Sequence, residues 1–145
     1  MTSRSVAQEF FEGMQSGDTG AVAALLAPGA SVSLVPLGIS GAMADEGADY
    51  LRRLAEAFPD LLVRVRRLFV TTDNAAVAEI TIDGTQAAEF LGATNQEKHF
   101  DLDQSWILQV DPDDRITAVT GYWCQNQAYR RLGVKRLDKI TITAR

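Results

Sequence analysis

An α+β fold is what this chain predicts, and three observations predict it. Two amphipathic helical stretches come first, a third follows near residues 49–58, and only then do long alternating segments appear, joined by tight turns. Helices segregated in sequence from hairpin-linked strands pack together on one face of an antiparallel sheet. One domain accounts for the 145 residues, with a short tail from about 134 to 145. A chain of this length buries a working core without disulfides or metals.

Each element has its own warrant. Val6, Phe10 and Met14 recur every four residues, with Ala7 and Phe11 beside them, so residues 4–16 form one helix with an apolar stripe. Gly17 stops it, and Asp18 caps a second short helix carrying Val22, Leu25 and Leu26, which Pro28 and Gly29 end. Residues 30–35 alternate as a strand, and residues 38–47, rich in glycine and small side chains, read as a loop. Tyr50, Leu51, Leu54 and Phe58 restore helical spacing until Pro59 breaks it. Strands then run over 61–71 and 75–86, joined by the turn Thr72-Asp73-Asn74. A connection over 87–96 leads to a third long strand, 98–110, a turn at Asp111-Pro112-Asp113-Asp114, and a fourth strand, 115–124. Residues 125–132 form a short helix ended by Gly133, and Ile140 and Ile142 alternate in the tail as an unplaced extra strand.

Composition narrows the function. A formal charge of −5 argues against nucleic acid, whose binders present a net basic face. Arg64, Arg66 and Arg67 interleave with Val63 and Val65, the pattern of a strand's wet side. Cys124 is the only cysteine, so no internal disulfide forms, and a cytoplasmic setting is expected. It reads as a buried structural thiol, since no neighbouring basic group marks it as a nucleophile. The first residues show no apolar core of signal-peptide type, and no apolar run approaches the ~20 residues that span a bilayer. No metal-ligand spacing is present.

The segment Gly121–Gly133, reading GYWCQNQAYRRLG, resembles the closing segment of SnoaL-like polyketide cyclases. Phe58-Pro59-Asp60-Leu61, and Gly84-Thr85-Gln86 with Glu89-Phe90-Leu91-Gly92, fit the same family in the same order. The resemblance implies the nuclear transport factor 2 and ketosteroid isomerase-like architecture, a cone-shaped α+β barrel whose helices lean over a curved antiparallel sheet around a cavity. It also implies a homodimer across the outer face of the sheet, with Trp106 and Leu108 in the apolar outer set. The positions that hold the family's histidine and aspartate are matched to Ser105 and Gly121. A further aspartate position falls on Cys124, and one often held by histidine falls on Gln86. With those handles replaced, the aldol proton-abstraction mechanism is not carried over.

The third long strand carries the remaining ionisable candidates. His99, Asp101, Asp103 and Ser105 share one face, and Leu102, Gln104 and Trp106 the other. The acidic set either lines the cavity or faces solvent. If it lines the cavity, burial and mutual repulsion raise the carboxyl pKa values, and Asp103 with His99 and Asp101 forms a proton relay. On the last strand, Gly121 and Trp123 share one face, and Tyr122 and Cys124 the other. The resemblance turns Gly121 and Trp123 inward, where a glycine leaves room for a bulky guest. Tyr122 is a candidate oxyanion donor, and Tyr50 is the polar-tipped residue among the covering helices.

Together these features predict a cofactor-independent cyclase or isomerase acting on an apolar polyketide or similar secondary metabolite. Ring closure would be directed by holding a flexible chain in a productive shape, as in a cycloaddition or Michael-type closure. A related hydratase or epoxide hydrolase is an alternative chemistry. A non-catalytic binding or assembly module is the alternative class, and it would fill the hollow with side chains.

Overall fold

Thr2 opens the first helix. Its hydroxyl accepts the Ser5 backbone N–H at 3.1 Å while the Ser5 hydroxyl accepts the Thr2 N–H at 2.9 Å, a reciprocal capping box. The structure, a computed structural model, describes residues 1–134, so the Ile140 and Ile142 alternation lies outside the described residues. Helix α1 (Ser3–Ser16) buries Val6, Ala7, Phe10, Phe11 and Met14, the predicted stripe. It ends at Gly17, whose φ of 68° is the left-handed cap that glycine adopts without steric cost. Asp18 then accepts the Ala21 N–H at 2.9 Å and starts α2 (Thr19–Ala23).

Pro28 and Gly29 do not end that helix. They lie within strand β1 (Leu26–Leu34), where a register shift between Leu26 and Ser31 accommodates them. Residues 38–47, expected as a loop, contain strand β2 (Ile39–Ala42) and a turn of π-helix (Met43–Gly47) that runs directly into α3 (Ala48–Ala57). The run Ile39-Ser40-Gly41-Ala42 is too short to show alternation. The later elements follow their patterns closely: β3 (Leu62–Val70), β4 (Ala75–Thr85), β5 (His99–Val110), β6 (Ile116–Tyr122) and α4 (Gln125–Arg131).

The six strands form one curved sheet in the order β2-β1-β6-β5-β4-β3. Strands β3 to β6 make an antiparallel meander, but β1 runs parallel to β6, so the sheet is mixed rather than antiparallel throughout. Alternation reports which face a residue occupies, not which neighbour its strand pairs with, and this pairing therefore had no local signature.

Helices α1 and α3 pack over the concave face. Phe10, Met14, Leu54 and Phe58 meet Ile80, Ile82, Phe100 and Leu108 there, with Phe58 stacked on Phe100 at 4.9 Å. Each such side chain contributes about 1.5–3 kcal/mol on burial. Polar clips fix the edges: Gln15 accepts the Val63 N–H at 2.8 Å, and Asp60 accepts the Thr85 N–H at 2.8 Å. Among the described residues no helix is long and apolar enough to cross a membrane.

Candidate functional site

Strand β5 decides which side chains meet the interior. Phe100, Leu102, Gln104, Trp106, Leu108 and Val110 are buried, whereas His99 and Asp103 are exposed and Asp101 and Ser105 half-exposed. The acidic set therefore faces away from the hollow. Asp103, with a side chain 67% exposed, accepts the Thr81 hydroxyl at 2.7 Å and lies 3.8 Å from Arg66. Asp101 pairs with Arg131, and His99 Nε2 lies 3.1 Å from Asp83. The expectation that Asp103, His99 and Asp101 relay protons to a bound guest is corrected on geometry. Water and arginines on the convex face already solvate these charges, and none of the three lines the cavity. Arg64 and Arg67 lie on the same wet side, 3.6 Å from Asp83 and 3.4 Å from Glu79.

The assignment of Trp106 and Leu108 to an outer dimer face is corrected too, since both are 1% exposed in the core. Trp106 stands directly across from Gly121 in the β5–β6 register, while Ser105 pairs with Tyr122. The inward residue facing Gly121 is thus Trp106, not Ser105. A Cβ built on Gly121 would lie 2.9 Å from the indole ring. The room that the glycine was expected to leave for a guest is filled by tryptophan.

Space remains elsewhere under the helices. A cavity of about 650 Å³ lies between the 35–39 segment, the π turn with α3, the 87–97 connection and α4. Leu37, Ile39, Leu91, Tyr50 and Tyr129 give it an apolar and aromatic wall. Asp45, Glu46, Asp49 and Glu89 set four carboxylates against one guanidinium, Arg53, along that wall. Burial pushes the Asp49 carboxyl up, but the Arg53 hydrogen bond and the charges of Arg53 and Arg52 outweigh it and hold it below its ordinary 3.8. Glu46 folds back to accept the Ala42 N–H at 3.0 Å. Tyr129 donates to the Leu91 carbonyl at 3.1 Å, which ties α4 to the facing connection.

Behind that wall stands an aromatic stack. The Tyr50 ring lies 5.6 Å from Trp123 and 6.3 Å from Trp106, with 6.2 Å between the two indoles. Trp123 Nε1 donates to Gln125 on the cavity wall at 2.6 Å. Gln104, buried on the inward face of β5, accepts from Trp106 Nε1 at 3.0 Å and donates from Nε2 to the Tyr50 hydroxyl at 3.5 Å. Burial pushes the Tyr50 phenol up to about 12, opposed by the Gln104 hydrogen bond, so it is a donor rather than a base at ordinary pH. The deep polar groups of this interior are neutral.

The other expected residues fall elsewhere. Tyr122 is 44% exposed on the convex side, so it is not the oxyanion donor of this cavity, and Ser105 shares a shallow depression there with Asp103. Gln86 is buried but spent on backbone: Nε2 donates to the carbonyls of Ala88 and Ala93, both at 3.1 Å, and Oε1 accepts the Gln96 N–H at 3.4 Å. Cys124 is exposed, not buried, because it is the N-cap of α4, its Sγ accepting the Gln127 N–H at 3.4 Å. Leu37, Ile39, Leu91 and Tyr129 were missed as cavity residues, since an apolar side chain on a turn, a four-residue strand or a short helix looks the same in sequence whether it lines a cavity or packs in the core. Gln104 had a signal: it is the one polar residue within the apolar set of its strand.

A family model described as a SnoaL-like domain matches residues 7–119. No curated protein matches the chain. Among solved structures, a candidate SnoaL-like polyketide cyclase from Jannaschia sp. CCS1 superposes with a TM-score of 0.80 at 15% identity, covering 92% of this chain and 93% of that one. IdmH of Streptomyces antibioticus, a candidate polyketide cyclase, gives 0.76 at 20% identity, covering 92% and 100%. A hypothetical protein of ketosteroid isomerase-like fold from Catenulispora acidiphila gives 0.73 at 13% identity, covering 89% and 92%. At these identities the likeness shows the fold alone, an α+β cone of ketosteroid isomerase-like type.

Proposed function

Because the chain belongs to the SnoaL-like domain family, we propose that it is a cofactor-independent cyclase or isomerase whose cavity directs ring closure of a polyketide or similar secondary metabolite. The observation that carries this reading is the cavity of about 650 Å³ walled by apolar side chains and by Tyr50, a phenol protonated to about 12. Space of that size holds a drug-sized guest. Confinement of a flexible chain lowers the barrier by restricting its freedom before reaction, worth up to ~7–11 kcal/mol in well-oriented model systems.

Tyr50 is the residue of choice for the electrostatic part. In a Michael-type closure the carbonyl oxygen of the acceptor gathers negative charge as the new carbon–carbon bond forms, and a fixed donor stabilises that charge. A cycloaddition moves no proton and needs only the shape. Both suit a site whose interior holds neutral polar groups. The carboxylates along the wall disfavour an anionic guest by repulsion.

The test is to incubate the protein with lipophilic polyene and polycyclic ketones, detect retained ligand by native mass spectrometry, and follow cyclised product by liquid chromatography. Retention with conversion by the wild type, and loss of conversion in Tyr50→Phe, is the expected result. Retention without conversion of any guest would leave a binding module, the reading favoured by the way Trp106 fills the room beside Gly121. Under either reading we expect a homodimer, which sedimentation equilibrium checks. Exposed Phe69 and Tyr122 offer apolar surface for it.

A further inference from the structure

We infer that Gln104 is a positioning residue, locked in one orientation by Trp106, that turns the hydroxyl proton of Tyr50 toward the cavity. The inference rests on the reading of Tyr50 as the donor of the site.

An amide has two chemically different ends, and its orientation must come from its neighbours. Here the neighbour leaves no choice, because an indole N–H donates and never accepts. Trp106 Nε1 lies 3.0 Å from the carboxamide oxygen of Gln104, so that oxygen is taken and the amide N–H2 faces the other way. The group it meets at 3.5 Å is the Tyr50 hydroxyl. The phenol oxygen is therefore an acceptor in this pair, and its proton must point elsewhere. Among the described residues no side chain or carbonyl accepts it, and Tyr50 lines the cavity. A guest's carbonyl oxygen is the partner that completes the set.

Burial makes the arrangement persistent. Gln104 and Tyr50 are 3% and 4% exposed, so water does not compete for the bond between them. Trp106 is itself held between Gly121, Phe10 and the Trp123 ring. A donor in contact with the phenol oxygen also polarises the O–H bond and strengthens it as a donor. The charged groups on the same wall are Asp49 and Arg53 of α3, Asp45 and Glu46 of the π turn, and Glu89 of the 87–97 connection.

The test uses Gln104→Glu, which keeps the shape. Protonated, that carboxyl accepts from Trp106 and donates to Tyr50, as the amide does. Ionised, it accepts from both and draws the phenol proton away from the cavity. With tyrosine labelled at Cζ, whose resonance follows the hydrogen bonding of its hydroxyl, the Tyr50 line is assigned by its absence in Tyr50→Phe. The line in Gln104→Glu is expected to move with pH through the ionisation of the new carboxyl, while the wild-type line stays flat over that range. Gln104→Leu is expected to displace the line at every pH. Trp106→Phe, which keeps a ring but frees the amide to turn over, serves if the leucine variant does not fold, and is expected to displace the line too. A line in Gln104→Glu that tracks the wild type overturns the inference.

Binding of 4-nitroacetophenone, a neutral aryl ketone with no ionisable group, read by the shift of its absorbance, supplies the functional arm. Affinity is expected to fall about tenfold in Tyr50→Phe and in Gln104→Leu, and in Gln104→Glu only once the new carboxyl has ionised. Wild-type affinity in Tyr50→Phe would remove Tyr50 as the donor, and with it the proposed use of the site, while the Cζ line would still decide the role of Gln104.

Discussion

The indole of Trp106 lies where a side chain on Gly121 would have to go. The two residues are direct partners across β5 and β6, and a Cβ on Gly121 would stand 2.9 Å from two ring carbons. An indole is a rigid plate and cannot yield by a rotamer change at its tip. Gly121→Ala is expected to destabilise the protein by about 1–3 kcal/mol, as overpacking does. Most of that loss should disappear when the same change is made in Trp106→Leu, because neighbours in contact do not act additively. Denaturant melts of the four proteins measure both.

Tyr50→Phe removes one hydroxyl and no ring, so the aromatic stack survives. If Tyr50 stabilises a developing oxyanion, turnover should fall roughly 10²-fold or more, a larger effect than the roughly tenfold loss of affinity from the missing ground-state hydrogen bond. Steady-state kinetics on the guest identified by mass spectrometry would show the split.

The same phenol makes the fold sensitive to alkali. Its pKa is raised from 10.0 to about 12 in the folded protein, chiefly by burial. A group raised on folding contributes stability in full below its unfolded value and loses it as pH climbs through the folded value. At about 1.4 kcal/mol per pH unit, roughly 2–3 kcal/mol is lost between pH 10 and about 12. Chemical denaturation across that window should show the loss in the wild type and not in Tyr50→Phe.

Asp103→Asn and His99→Gln are expected to leave turnover within about twofold of wild type, because both side chains face water on the convex side. Stability should change by less than about 1 kcal/mol for Asp103, as for other exposed pairs. A tenfold loss of turnover in either variant would return the outer face to the mechanism.

Gln86 holds the connection that carries Leu91 and Gly92. Gln86→Leu leaves the Ala88 carbonyl without its Gln86 donor and the Ala93 carbonyl with the Phe90 N–H alone, and should cost about 1–3 kcal/mol. Amide hydrogen exchange over residues 87–97 is expected to quicken, and guest affinity to fall with it.

Much of this molecule was legible in its chain. The long strand β5 alternates over twelve residues, β4 is an eleven-residue run bounded by turns and alternating in its second half, and α1 shows its stripe through Val6, Phe10 and Met14, which settles their element type. The face of β5 was readable too. One set holds Phe100, Leu102, Trp106 and Leu108, the other His99, Asp101 and Asp103, and burying three ionisable groups costs far more than burying one amide. Reading Asp103 as a cavity residue set functional chemistry above that imbalance. Strand β2 and the π turn left no such trace, being only four and five residues long.

The sequence by itself determined the order of helices and strands, the residues that share a face, and membership of a family of cone-shaped folds. Only the tertiary structure decided that β1 joins β6 in parallel, that Trp106 occupies the space beside Gly121, and that Gln104, Trp106 and Tyr50 meet. Periodicity is a property of neighbours in the chain, and it fixes direction within one element. The meeting of α3 with β5 joins residues more than fifty positions apart, and it is set by how volumes and hydrogen-bonding groups fit once the helices close over the sheet.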